Sequence, residues 1–231
     1  MMYVGSKARL AKYLAPIIQS YITKDTVGYL EPFVGGANMI QHIKHEKRYG
    51  SDISEELIDL LKYLQKDDIV IPDFISEDEY IKVKNNKNVY PSWKVGLVGY
   101  CATFGSKYFG GYARRNDNAC TIRSQLNNLK RQKPFLKGIN FKCLNYQEIK
   151  QLKNFVIYCD PPYKNSTGYR NKFDTDLFFD WARNYSQNNI VLVSEYTAPK
   201  DFSCIFEKEQ FVNISGKKEV KSIERLFKWK D

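Results

Sequence analysis

What this 231-residue chain lacks narrows it before any motif is read. No run of about 18 apolar residues occurs, so no membrane-spanning helix is expected. The first residues, Met1-Met2-Tyr3-Val4-Gly5-Ser6-Lys7, lack the charged-then-apolar layout of a signal peptide, which makes a cytoplasmic location the expectation. The five cysteines include no Cys-x-x-Cys pair, so reduced thiols are expected and not a disulfide framework. Only two histidines are present, His42 and His45. No cysteine or further histidine joins them into a ligand set, so no metal is expected. The glycines form neither G-x-G-x-x-G nor a phosphate loop ending in Gly-Lys-Ser/Thr, which argues against a nicotinamide cofactor and against a nucleoside triphosphate.

Acid is nearly missing from one long segment. Residues 84–142 hold eight lysines and four arginines against the single acid Asp117, a net +11, while the rest of the chain sums to −1. The positive excess is therefore confined to one block. An ordinary solvated surface intersperses both signs, so a one-sided block points to a polyanionic partner. Nine aromatic residues are interleaved with these basic ones. Within the block, Lys107, Tyr108, Arg114, Arg115 and Arg123 are candidates for phosphate, guanine or stacking contacts.

Apolar periodicity organises what surrounds the block. Ser6 can cap a helix running to residue 22. Residues 27–33 read as a strand, 37–45 as a helix, and 48–51 as a second strand ending at Asp52. A further helix opens at Ser54, with Glu55 and Glu56 suited to its N-terminus. Strand, helix, strand, helix predicts a parallel sheet. The α/β pattern resumes with a strand at 155–159, a helix at 175–188 and a strand at 190–194. The tail, 204–214 and 223–229 joined across Ser215-Gly216, reads as an antiparallel hairpin. The expected fold is an α/β, doubly wound Rossmann-like sheet with an antiparallel C-terminal hairpin and a mostly helical insertion. Residues 1–72 and 143–231 would form the catalytic domain, and 73–142 the inserted basic region.

Three local motifs carry chemistry. Glu31-Pro32-Phe33-Val34-Gly35-Gly36-Ala37-Asn38 marks a strand-to-helix turn where backbone can approach a ligand closely. Asp52 ends the next strand 17 residues after Gly35, near the offset at which an acid reaches ribose hydroxyls. Asp160-Pro161-Pro162-Tyr163 follows the apolar run 155–159 and so falls at the carboxyl end of a buried strand. Neither proline has an N–H, and Pro162 holds Pro161 extended, which frees the Pro161 carbonyl as an acceptor. With Asp160 it offers two acceptors to an exocyclic amine, and Tyr163 offers a ring on which a planar base can stack. An amine held out of its ring plane localises its lone pair toward an electrophile.

These elements, in this order, resemble the Dam-like N6-adenine DNA methyltransferases. The N-terminal aromatic-x-Gly-x-Lys element (Tyr3 to Lys7), the glycine motif, the strand-end acid and an unchanged Asp-Pro-Pro-Tyr carry the likeness. The basic block lies between the glycine and catalytic motifs, as in the subgroup whose target-recognition region lies there. The resemblance implies S-adenosylmethionine as cofactor, no metal, double-stranded DNA as substrate, and a bacterial or phage-infected cell. It implies that Lys7 pairs with the cofactor carboxylate, that Tyr3, Phe33 and Gly35 line its pocket, and that Asp52 binds the ribose. Asp160 would touch both cofactor and target amine, with Pro161, Pro162 and Tyr163 completing the catalytic set. Residues 164–172 are placed to close over an extruded base. One departure stands out: family members often carry Phe-x-Gly-x-Gly, whereas Ala37 occupies the last position here. Cytosine-N4 enzymes usually have Ser where Asp160 stands, and protein-amide enzymes have Asn first. A DNA-binding module with a vestigial fold would have no need of Lys7, Asp52 and Asp160 together.

Overall fold

The computed structural model describes residues 1, 3, 5–114, 118–163, 173–214 and 217–230, apart from the side chains at 106, 118–120 and 210–222. Seven strands make one sheet: Gly28–Glu31 (β1), Arg48–Asp52 (β2), Ile139–Cys143 (β3), Phe155–Cys159 (β4), Ile190–Glu195 (β5), Phe202–Ile214 (β6) and Lys217–Trp229 (β7). Their order is β3-β2-β1-β4-β5-β7-β6. The first five run parallel, and β7 runs antiparallel to both β5 and β6. The central strands are apolar because both their faces are covered. Alternation sends Tyr29, Val156, Tyr158 and Leu192 into one layer and Leu30, Ile157, Cys159, Val191 and Val193 into the other.

The first layer is filled by Ala11–Ser20 (α1), Glu55–Leu64 (α2), Glu77–Asn85 (α3), Ser92–Cys101 (α4) and Asn118–Leu136 (α5). Thr175–Ser186 (α6) covers the second, capped by the Asp174 side chain on the Leu177 N–H. Helices α3, α4 and α5 belong to the span expected as an insertion. They share one hydrophobic core with the sheet, and α4 lies directly on α2. At that contact Gly96 allows the backbones to touch: a Cβ there would sit 2.1 Å from the Glu56 carbonyl oxygen. Among the described residues no helix is long and apolar enough to cross a membrane.

The sequence reading and the structure differ in three places that matter for the site. The helix expected from Ser6 to residue 22 breaks at Leu10. Ser6 Oγ accepts from the Ala8 N–H to start a short 3-10 turn, Lys7–Arg9, and α1 follows. The helix expected over 37–45 does not form. Ala37 adopts a left-handed backbone (φ 56°), the carbonyls of Gly36 and Ala37 are taken by the Gln132 side chain, and only a 3-10 turn at Ile40–His42 remains. Strand β3 went unread, and it claims residues 139–142 for the sheet. Its five residues alternate buried Ile139 and Phe141 with exposed Asn140 and Lys142, too short a signal to stand out from the basic block. The C-terminal hairpin is as expected, with strands that start earlier, at Phe202 and Lys217, than the 204 and 223 read for them. Its turn at 215–216 lies outside the described residues.

Gly96→Ala should force α4 off α2 and lower stability by about 3 kcal/mol, a fall in Tm of roughly 6–12 °C for a chain of this size. Calorimetry of the two proteins checks this; an unchanged Tm would mean that the insertion does not rest on α2 as described.

Candidate active site

Strands β1 and β4 are neighbours, and the chain leaves them toward opposite edges of the sheet, β1 toward β2 and β4 toward β5. That is the topological switch point, where open α/β sheets bind ligands beyond the carboxyl ends of their strands. Register brings the three strand-end acids together there. Glu31 ends β1, Asp52 ends β2, and Asp160 follows β4.

The short turn at the N-terminus aims Lys7 into this edge. Its side chain is 7% exposed, and its ammonium lies 2.9 Å from Asp160 Oδ1, 3.4 Å from Glu224 Oε1 and 4.4 Å from the centre of the Tyr163 ring. Tyr163 in turn donates its hydroxyl hydrogen bond to Glu224 Oε1 and meets Tyr196 edge-on at 4.6 Å. Burial alone would lower the Lys7 pKa, but the two carboxylates outweigh it and hold the ammonium above its ordinary value. Burial pushes Asp160 up, and Lys7 opposes that. Burial beside two carboxylates also keeps the Tyr163 phenol neutral, fit to donate. Pro161 is buried, and among the described residues no backbone N–H bonds to its carbonyl. Lys7 thus stands at the two groups, Asp160 and the Tyr163 face, that the sequence suggested for an incoming amine and its ring.

The glycine turn builds the other half. Gly35 has a left-handed backbone (φ 46°), and its N–H donates to Asp52 Oδ2 at 3.1 Å. Asp52 Oδ1 accepts from the Ser54 N–H at 3.1 Å. Each oxygen keeps lone-pair capacity for a hydroxyl. Burial raises the Asp52 pKa, against the pull of those backbone bonds. A Cβ at Gly35 would lie 3.0 Å from the Tyr3 ring, so glycine is what lets Tyr3 close over the turn. Phe33 packs among Tyr146, Phe173 and Phe178 with ring separations of 5.2–5.8 Å. Ala37, fully buried, takes a left-handed conformation (φ 56°) that glycine adopts more readily. The departure is accommodated through backbone strain and not through lost contact. These groups fit a nucleoside cofactor: an acid at ribose-binding position, a turn open to close approach, and a buried cation for a carboxylate.

Several participants escaped the sequence reading. Glu224, on β7, joins Lys7 to Tyr163 from 61 residues beyond the tyrosine. It is the residue next to the last rung shared with β5, Glu195↔Arg225. Asn38 bonds Ser6 Oγ and the Met1 carbonyl, and Gln132 of α5 bonds the Gly36 and Ala37 carbonyls. Only the alternation of Glu224, Leu226 and Lys228 along the tail hinted at an inward-facing acid. In the basic block, Lys107 and Arg123 are exposed, and Arg114 is exposed and paired with Glu77. Tyr108 turns inward: its hydroxyl bonds Glu56 Oε1 at 2.6 Å and its ring meets Tyr100 and Phe109, which leaves Phe104 as the exposed ring of that loop. Arg115 and residues 164–172 lie outside the described residues.

A parallel sheet with a reversed seventh strand, an acid ending β2 and Asp-Pro-Pro-Tyr after β4 give a Rossmann-like fold with a candidate site at its switch point. Comparison with known proteins narrows the class. Residues 3–95 match the D12 class N6 adenine-specific DNA methyltransferases. The Type II methyltransferase M.FokI of Planomicrobium okeanokoites is 27% identical over 207 residues, covering 78% of this chain and 31% of that protein. This chain therefore spans about a third of that relative's length. The solved structure of a Haemophilus influenzae methylase candidate, HI0767, aligns over 96% of this chain and 98% of that one at 12% identity, with a TM-score of 0.40. The family match covers residues 3–95, the part of the chain that carries Lys7, the glycine turn and Asp52.

Glu31 supplies a pH test of this edge. It is buried and accepts the Tyr29 hydroxyl hydrogen bond at 2.6 Å. Burial pushes its carboxyl from 4.5 up to about 8, the Tyr29 bond opposing and Asp160 adding to the rise. Between those values the folded protein holds a proton that the unfolded chain releases, so stability falls as pH rises, by at most ~1.4 kcal/mol per pH unit. Glu31→Gln should flatten that fall, as read by urea unfolding near pH 5 and near pH 8. An equally steep fall in the variant would show that Glu31 is not the group responsible.

Proposed function

We propose that this chain transfers a methyl group from S-adenosylmethionine to the N6 amine of adenine in a short DNA sequence. The observation that carries this reading is Asp-Pro-Pro-Tyr at the switch point, with its aspartate ion-paired to the buried Lys7, beside a glycine turn hydrogen-bonded to Asp52. Residues 73–142 act as the target-recognition region, inserted between the two parts of the catalytic domain, 1–72 and 143–231. Lys107, Arg114, Arg115 and Arg123 serve the DNA backbone or base edges, and Tyr108 supports their loop from within. Phosphate contacts fix the register, and base contacts read the sequence.

The amine of a stacked adenine is out of reach, so the nucleotide is extruded into the pocket. Tyr163, its hydroxyl anchored on Glu224, offers its ring to the base. Asp160 accepts one N–H of the amine and the Pro161 carbonyl accepts the other. Held this way, the nitrogen pyramidalises and its lone pair turns toward the cofactor. When bound, S-adenosylmethionine supplies an electrophilic methyl group on sulfur. The nitrogen–carbon bond forms as the carbon–sulfur bond breaks, and the nitrogen then loses a proton to water or transiently to Asp160. Tyr3, Phe33 and Gly35 border the cofactor and Asp52 takes its ribose. Lys7 stays beside Asp160 and would offer its remaining N–H bonds to the cofactor carboxylate.

Unmethylated genomic DNA incubated with enzyme and S-adenosylmethionine, then mapped at base resolution, is expected to carry N6-methyladenine at one short sequence. Asp160→Ala should abolish the modification and change DNA affinity by no more than a few-fold. Modified cytosine alone, no modification by the natural protein, or near-normal turnover in the variant would each defeat the reading.

A further inference from the structure

Helix α1 and the outer strand of the hairpin meet at Tyr13. The Lys208 ammonium lies 4.0 Å from the centre of the Tyr13 ring, and the Lys12 ammonium 4.9 Å. Tyr13 and Lys12 are exposed, and Lys208 is half-buried on β6. The two lysines also pull the Tyr13 phenol below its ordinary pKa, through hydrogen bonding first and then through their charge. Among the described residues neither cation has a carboxylate partner. The acids flanking Lys208 do not supply one: Glu207 pairs with Arg225, and strand alternation turns both Glu207 and Glu209 to the opposite face. Residues 1–24 contain Lys7, Arg9, Lys12 and Lys24 and no acid. Two like charges beside one ring repel, and a nearby anion relieves that repulsion. Two ammonium groups gathered at one exposed tyrosine, with its phenolic hydroxyl, are a donor set for an oxyanion.

The position of this cluster says which oxyanion. Lys208 is directly opposite Glu224 in the hairpin register. Directly opposed residues share a face, with Cβ atoms about 5 Å apart. Glu224 is the residue that anchors Tyr163 and Lys7. The cluster therefore lies one strand outward from the proposed base pocket, on the same face of the hairpin, and outside the basic block at 84–142.

We propose that Lys12, Tyr13 and Lys208 form a binding site for a DNA backbone phosphate beside the extruded nucleotide. The proposal rests on the methyltransferase reading above and adds to it a grip contributed by the catalytic domain itself. Extrusion costs a few kcal/mol in lost stacking and pairing. A phosphate fixed next to the pivot holds the strand while the base turns, whereas contacts made only by the insertion would leave that side of the strand free.

The test is the salt dependence of duplex binding. For the double variant Lys12→Gln/Lys208→Gln, the dissociation constant is expected to rise several-fold and the log–log salt slope to become shallower by about 1. Lys12→Arg/Lys208→Arg should restore both. Tyr13→Phe, which keeps the ring and removes the hydroxyl, should weaken binding with little change in slope, and it carries the affinity comparison if the double variant does not fold. An unchanged slope in a folded double variant, or unchanged affinity in Tyr13→Phe, overturns the site. Inorganic phosphate binding to the natural protein and not to the double variant, with identical DNA slopes, makes this a free-anion site and overturns the proposal also. A natural protein that binds DNA and methylates no adenine defeats the functional reading while leaving the slope comparison intact. One that does not bind DNA at all defeats both.

Discussion

A single buried ammonium ties the active edge together. Lys7 reaches from the N-terminal turn to Asp160 at the end of β4 and to Glu224 on β7, three segments remote in sequence. Taking an ammonium out of water costs several kcal/mol. Two carboxyl groups and the face of Tyr163 offset that cost. Deleting one partner from such a group typically costs about 3–5 kcal/mol, because the remaining charge is left buried and uncompensated. The arrangement is therefore a structural clamp as well as a set of reactive groups. It fixes the amino-terminal turn and the carboxy-terminal hairpin against the strand that carries Asp-Pro-Pro-Tyr.

The same clamp prepares the chemistry. An aspartate accepts a hydrogen bond from an amine most strongly when ionised, in a buried site that favours its neutral form. Lys7 opposes that tendency, and Glu224 keeps the lysine charged while orienting the tyrosine ring. On the other side of the switch point, Asp52 holds the glycine turn through the Gly35 N–H, and Gln132 of α5 holds it through the Gly36 and Ala37 carbonyls. Helix α5 lies in the span proposed to recognise DNA. The cofactor turn and that span are thus joined by hydrogen bonds and not only by a shared core.

Much of this was legible in the sequence, and the limits have physical causes. Apolar strands with two covered faces announce themselves, so the cores of β1, β2, β4 and β5 were readable, and with them the carboxyl-edge positions of Asp52 and Asp160. A short Asp-Pro-Pro-Tyr motif concentrates its meaning in four adjacent residues. Glu224 could not be found that way, because its role comes from strand pairing across the sheet and nothing next to it in sequence marks it. The segment at 37–45 carries helical residue types, yet tertiary hydrogen bonds from Gln132 override local preference there. Tyr108 read as a surface ring because it sits among glycines and lysines, but Glu56, fifty-two residues away, holds its hydroxyl. Strand β3, five residues long and edge-placed, has too little apolar pattern to be read locally.

The dependence of Asp160 on Lys7 can be measured directly in the ligand-free protein. Carbon-13 NMR of the aspartate carboxyls, with the Asp160 resonance assigned by its loss in Asp160→Asn, gives the titration of that group in the natural protein and in Lys7→Gln. The account requires Asp160 to titrate at clearly higher pH once the ammonium is gone, because burial then acts unopposed. An identical titration in both proteins would mean that Lys7 does not govern the ionisation of Asp160, and the clamp would lose its proposed chemical role.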